Sequence, residues 1–96
     1  MFVVTVHFIV APEHRDVFAA AMFEQAEQSL EFEPDCHVFE VCVGADNNCS
    51  FFLYEKYTDA AAFDAHLETR HFVSFNEAVT PWVESKTVDT WVEQTL

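Results

Sequence analysis

Two histidines and a carboxylate in the second half of the chain are the residues best suited to proton chemistry. Glu55 lies in SFFLYEKY (50–57), His66 in DAAAFDAHLE (59–68), and His71 opens HFVSFNEAV (71–79). A neutral imidazole can take a proton from a phenolic or enolic hydroxyl, or hydrogen-bond its carbonyl. Plainer roles stand beside this one. His66 could cap the C-terminus of its helix, where a cation is favoured, and His71 could simply start the next helix. Glu55 shares a strand face with Phe51, Leu53 and Tyr57. A carboxylate among aromatics must be paired, hydrogen-bonded or protonated, and it could tie its strand to helix ends or to a partner subunit. His7 and His37 are further candidates, and His7, flanked by apolar residues, reads as a core or pocket-lining histidine. His66 and His71 are five residues apart across a break, which does not match the one-face spacing of helical metal ligands, so no metal is expected.

Other chemistries lack their residues. With one glycine there is no phosphate-cradling loop and no dinucleotide fingerprint. No cysteine pair has zinc spacing, and no Gly-x-Ser-x-Gly elbow occurs. Lys and Arg number 4 against 17 Asp and Glu, a formal charge of −13. Such a surface repels phosphate backbones, which argues against nucleic acid and anionic membranes as partners. Acidity also keeps a chain with 11 Phe in solution, and adaptation to high salt is a second reading of it. Near the candidate site, Arg70 and Lys56 are the only cations in sequence, a weak argument against a phosphorylated substrate.

The opening MFVVTVHFIV has neither a basic start nor a small-residue cleavage site and reads as a strand rather than a signal peptide. No apolar run approaches the roughly 20 residues of a membrane-spanning helix. Along one strand Cys36 and Cys42 would lie about 20 Å apart, too far for a disulfide. Whether Cys49 reaches Cys42 across a hairpin is open at this level. A reducing, cytoplasmic location is the simpler expectation.

The elements that must position these residues follow from periodicity. Residues 2–10 are β-branched or aromatic almost throughout, as in a strand buried on both faces. Pro12 opens a helix with Glu13 and Asp16 in its first turn. Phe18, Met22, Ala26 and Leu30 then mark its inner face, with Glu24, Gln25, Glu27 and Gln28 largely on the wet side. Residues 36–43 and 50–57 form a hairpin around GADNN (44–48). Thr58 or Asp59 caps a short helix; a break near Thr69 and Arg70 precedes another, which Pro81 should kink or restart. KTVDTWVEQ (86–94) alternates like a strand.

The order β-α-β-β-α-β predicts an α+β, ferredoxin-like split βαβ domain spanning residues 1–96, with a four-stranded antiparallel sheet and helices on one face. Phe52 and Tyr54 make the second face apolar as well. A second copy of the sheet would cover it, so a homodimer is expected. Phe18, Met22, Phe72 and Phe75 read as core, part of which could line a flat aromatic cavity.

The segment FFLYEKYTDAAAFDAHLETRHFVSF (51–75) resembles the antibiotic biosynthesis monooxygenase family: a strand ending in Glu and an aromatic, an Ala-rich helix ending in Ala-His, then Thr-x-His-Phe and a further Phe. Glu55, Tyr57, Phe63, His66, Thr69, His71 and Phe72 sit where that pattern puts them. The resemblance implies a dimeric α+β barrel with a pocket between sheet and helices, lined here by His7, Phe51, Phe72, Phe75 and Asn76. It implies His66 and His71 as pocket groups with Glu55 positioning one of them. Some members oxygenate quinols or polycyclic phenols with O2 and no metal, flavin or haem. A haem-degrading branch has Trp at the position of His66, its haem-ligating His at Asn76, and Asn at His7, so haem degradation is not expected. The leading expectation is therefore a cofactor-independent monooxygenase of a small phenolic or quinol substrate. Isomerisation or breakdown of a small signalling molecule is the second, and a non-catalytic ligand-binding or stress-response dimer the third.

Overall fold

A computed structural model describes residues 1–95. Its elements are β1 (Phe2–Val10), α1 (Arg15–Phe32), β2 (Cys36–Val43), β3 (Ser50–Tyr57), α2 (Ala60–Leu67), α3 (Arg70–Val79) and β4 (Val83–Val92). Single 3-10 turns at Pro12–His14 and Thr80–Trp82 lead into α1 and out of α3. The sheet runs β2-β3-β1-β4, antiparallel throughout. This is the expected ferredoxin-like α+β arrangement, with the second helix split in two.

Alternation sorts the strands into two faces. Val4, Val6, Phe8 and Val10 of β1, Phe51, Leu53, Glu55 and Tyr57 of β3, and Phe39 of β2 lie buried on the helix side. Phe18 is the hub of this core: its ring lies 4.8 Å from Phe51, 5.2 Å from Phe8 and 6.2 Å from Phe75. The other face carries His7, Phe52 and Trp91. β1 is central but not buried on both faces as expected, since His7 is open to solvent.

Helix α1 departs from its expected register. Phe18, Met22 and Ala26 point inward, but Leu30 is 47% exposed and the inner face continues through Gln25 and Ser29. Steps of four residues overshoot one turn by about 40° each, so three steps carry position 30 about 120° off the stripe. Gln25, expected to be wet, is thus buried, and the Ser29 hydroxyl, bonded to the Gln25 carbonyl at 2.8 Å, also meets its side-chain amide. Gly44 closes the β2–β3 hairpin where a Cβ would lie 2.6 Å from the Asn47 carbonyl oxygen. Pro81 ends α3 rather than kinking it: the helix stops at Val79, and β4 begins at Val83, three residues earlier than expected, ending at Val92. Cys36, Cys42 and Cys49 are all free thiols, and burial pushes the Cys36 thiol up to about 12. Among the described residues, no helix is long and apolar enough to cross a membrane.

Candidate active site

The two candidate histidines meet, and the group that joins them is Glu33. His66 Nδ1 lies 2.9 Å and His71 Nε2 2.5 Å from the same oxygen, Glu33 Oε2. An ionised carboxylate only accepts, so both ring nitrogens carry their protons toward it. His66 Nδ1 is also 3.1 Å from Glu33 Oε1. His66 is 2% exposed, while the Glu33 and His71 side chains are 12% and 11% exposed.

Three chain segments deliver these groups. Glu33 is the C-cap residue of α1, its backbone N–H bonded to the Ser29 carbonyl, and Pro34 prevents the helix from running on. His66 rides in the last turn of α2, which Asp59 starts by accepting the Ala62 N–H at 2.9 Å. His71 stands in the first turn of α3. The Thr69 hydroxyl spans the two helices, donating to the His66 carbonyl at 2.8 Å and accepting the Phe72 N–H at 3.2 Å. With the Thr69 N–H on the same His66 carbonyl at 3.2 Å, that side chain ties the two helix ends together and sets the spacing between His66 and His71.

Aromatic rings surround His66: Phe72 at 5.0 Å, Tyr57 at 5.4 Å, Phe63 stacked at 6.1 Å and Phe39 at 6.2 Å. Burial holds its pKa below the ordinary histidine range, against the opposing pull of Glu33. With Nδ1–H committed to Glu33, Nε2 is the nitrogen left with a free lone pair. His66 lines a cavity of about 40 Å³ together with Glu55, Phe72, Phe75, Lys86 and Gln25, among others. Every fully buried side-chain nitrogen and oxygen among the described residues has a hydrogen-bond partner. Nε2 has no hydrogen-bond partner, so it keeps some accessible surface, and His66 is a lining residue of that cavity.

Glu55 does not position either histidine. It is 2% exposed, and the Tyr57 hydroxyl donates to its Oε1 at 2.5 Å. Burial pushes its pKa up to about 7, opposed by the Tyr57 hydrogen bond. Burial and the neighbouring Glu55 raise the Tyr57 hydroxyl far above its usual range, so it stays a donor. The cation at this cavity is Lys86 of β4, whose ammonium lies 5.5 Å from the Phe8 ring and 5.9 Å from the Phe72 ring. Lys56, by contrast, pairs with Glu93 at 2.6 Å, and Arg70 lines an outer cleft.

That cleft, about 510 Å³ between α1 and α3, is lined by His71, Phe32, Gln28 and Arg70 and shares Gln25 and Phe75 with the small cavity. Phe75 and Gln25 are therefore the wall between them. Of the remaining sequence candidates, Phe72 and Phe75 line the cavity. Phe51 is wholly buried against Phe18 and lines neither space. Asn76 is half-buried, its carbonyl accepting the Thr80 hydroxyl at 2.5 Å, and it too lines neither. His7 lies on the opposite sheet face and shares a 2.7 Å hydrogen bond with the Ser50 hydroxyl. His37 is exposed and bonds the Thr58 hydroxyl at 2.7 Å. Sequence reasoning missed Glu33, Gln25 and Lys86. The one signal for Glu33 was an acid followed at once by the proline ending α1.

The sequence profile of the antibiotic biosynthesis monooxygenase family matches residues 1–78. A protein of Nitrosomonas europaea, described as a candidate antibiotic biosynthesis monooxygenase, superposes with a TM-score of 0.93 at 28% identity, over 99% of this chain and 100% of its own. Similarly described proteins from Bacteroides thetaiotaomicron (TM-score 0.92, 23% identity, 98% and 90% covered) and Deinococcus radiodurans (0.92, 14%, 100% and 95%) share the fold. Among curated proteins, none matches. With four-fifths of its length fitting that profile and its fold superposing end to end, the chain belongs to the antibiotic biosynthesis monooxygenase family.

Proposed function

We propose that this protein is a monooxygenase of a small phenolic or quinol substrate, using O2 without a bound cofactor, and that His66 is its base. The observation that carries this reading is the 2.9 Å contact of His66 Nδ1 with the Glu33 carboxylate, which assigns the proton to Nδ1 and leaves the Nε2 lone pair for the apolar cavity that His66 lines. Nε2 takes the hydroxyl proton, and the resulting anion supplies the electrons that reduce O2. One oxygen atom enters a ring carbon as a new carbonyl, and the other leaves as water with two substrate hydrogens. A lowered His66 pKa keeps the imidazole neutral and able to accept. The aromatic walls favour a planar guest, and the Lys86 ammonium favours the anion against the cost of burying charge among them.

A cavity of about 40 Å³ holds little more than a water molecule, whereas small-ligand sites run to roughly 300–1,000 Å³. The adjoining cleft of about 510 Å³ is of that size. Substrate therefore occupies the two together, with Phe75 swung aside. Two copies pair through the outer sheet face, where Phe52 is 42% and Trp91 55% exposed. Sedimentation at micromolar concentration would show a dimer; a folded monomer would contradict this pairing.

The test is oxygen uptake by metal-stripped protein over a panel of hydroquinones and naphthols, with His66→Ala alongside. Uptake above the autoxidation blank that the variant loses supports the assignment. Uptake that the variant retains removes His66 as base, and no uptake with any compound removes the oxygenase reading.

A further inference from the structure

Glu33, His66 and His71 each offer one ligand atom, and these atoms all lie within 4.8 Å of one another. Two imidazole nitrogens and a carboxylate oxygen make a donor set that suits borderline divalent ions such as Zn2+, Co2+ or Ni2+ and suits Mg2+ or Ca2+ poorly. The nitrogen-to-oxygen separations of 2.9 and 2.5 Å are hydrogen-bond distances, shorter than the roughly 3.3 Å between neighbouring ligands of a tetrahedral ion, so side-chain rotations that part the ligand atoms by less than about 1 Å would seat it. The three residues come from rigid positions at the ends of α1, α2 and α3, and Thr69 holds the latter two helices at fixed spacing. A route from solvent exists, because Glu33 also lines a cavity of about 150 Å³ with Pro34, Asp35 and Thr69. Net charge of −13 raises the local concentration of cations around the whole molecule.

We propose that Glu33, His66 and His71 form a three-ligand site for a borderline divalent metal ion, and that the ion, when bound, silences His66 as a base. The first half stands on geometry alone; the second rests on the oxygenase reading above. Its reason is tautomeric. A metal at Nδ1 takes the lone pair there, so the proton of neutral His66 must move to Nε2. The cavity then meets a donor in place of an acceptor. His71 makes the matching exchange, its proton moving from Nε2 to Nδ1, and no proton is lost to solvent. The fourth ligand is water entering from the Glu33 side.

Calorimetric titration of metal-stripped protein with Zn2+ should give one site per chain, weakened at least tenfold in Glu33→Gln and in His71→Ala and unchanged in His7→Ala. Thermal melts establish that each variant is folded. A measurement on the unaltered protein runs beside them: long-range 15N spectra in which Zn2+ moves the ring resonances of His66 and His71 while His7 and His37 stay in place. No Zn2+ binding at micromolar concentration, or binding that the two site variants leave intact, or ring shifts at His7 or His37 instead, overturns the site. Turnover that survives saturating Zn2+ overturns the silencing. Zn2+ binding at these residues in a protein that oxidises none of the panel leaves the metal site standing and removes only the oxygenase reading.

Discussion

Glu55→Gln should make the protein relatively more stable the higher the pH. Glu55 is 2% exposed, and its pKa stands at about 7 against 4.5 for an ordinary carboxyl. Burial is the main cause, Glu33 adds to it, and the Tyr57 hydroxyl and Lys86 oppose it. Because the folded-state pKa is the higher one, the folded protein binds more protons than the unfolded chain between those values. Stability from this group is thus fully present below about pH 4.5 and is lost as pH rises through about 7. At ~1.4 kcal/mol per pKa unit, the loss is about 3 kcal/mol. Glutamine keeps an oxygen for the Tyr57 hydroxyl but cannot ionise. Urea unfolding of both proteins from about pH 4 to about pH 8.5 gives the difference at each pH. The variant should gain about 3 kcal/mol on the wild type across that range, most of it between about pH 5 and 7. Titrating groups that do not feel the Glu55 charge are common to both proteins and cancel. A difference that stays flat with pH would refute the reasoning, since it would mean that Glu55 ionises in the fold as it does in water.

Asp59→Ala removes the side chain that accepts the Ala62 N–H at the start of α2 and should cost about 1 kcal/mol in urea unfolding; Asp59→Asn should recover most of it. Phe75→Ala takes away the wall between cavity and cleft. It should cost about 3 kcal/mol of stability and tighten the binding of naphthol-sized ligands by equilibrium dialysis; equal or weaker binding would mean that Phe75 is not the barrier.

Fold and site were legible to different degrees, for physical reasons. The strands at 2–10, 36–43 and 50–57 could be read because alternation and β-branching are local signals, and they match the observed bounds. The inner face of α1 was read through Met22 and Ala26 but lost by position 30, where drift of the helical period had turned Leu30 outward and brought Gln25 and Ser29 in. His66 and His71 stood out by residue type and by resemblance. Their partner did not. Glu33 is one of 17 acids and lies 33 residues from His66, and only chain reversal through β2 and β3 carries α1 back to α2. Glu55 drew attention instead because it interrupts an apolar strand face, and its real partner was Tyr57, two residues along the same strand. Lys86 was invisible for a related reason: the alternation of β4 does not reveal which of its faces meets Phe8 and Phe72.

The Thr69 bridge makes the stretch between α2 and α3 a matter of length more than of composition. Adding or deleting one residue between positions 67 and 70 would carry the Thr69 hydroxyl off the His66 carbonyl or off the Phe72 N–H. The spacing of His66 and His71, and with it their shared hold on Glu33, would change although every side chain of the site was still present. The site therefore depends on the length of this junction, which a substitution leaves intact and an insertion or deletion does not.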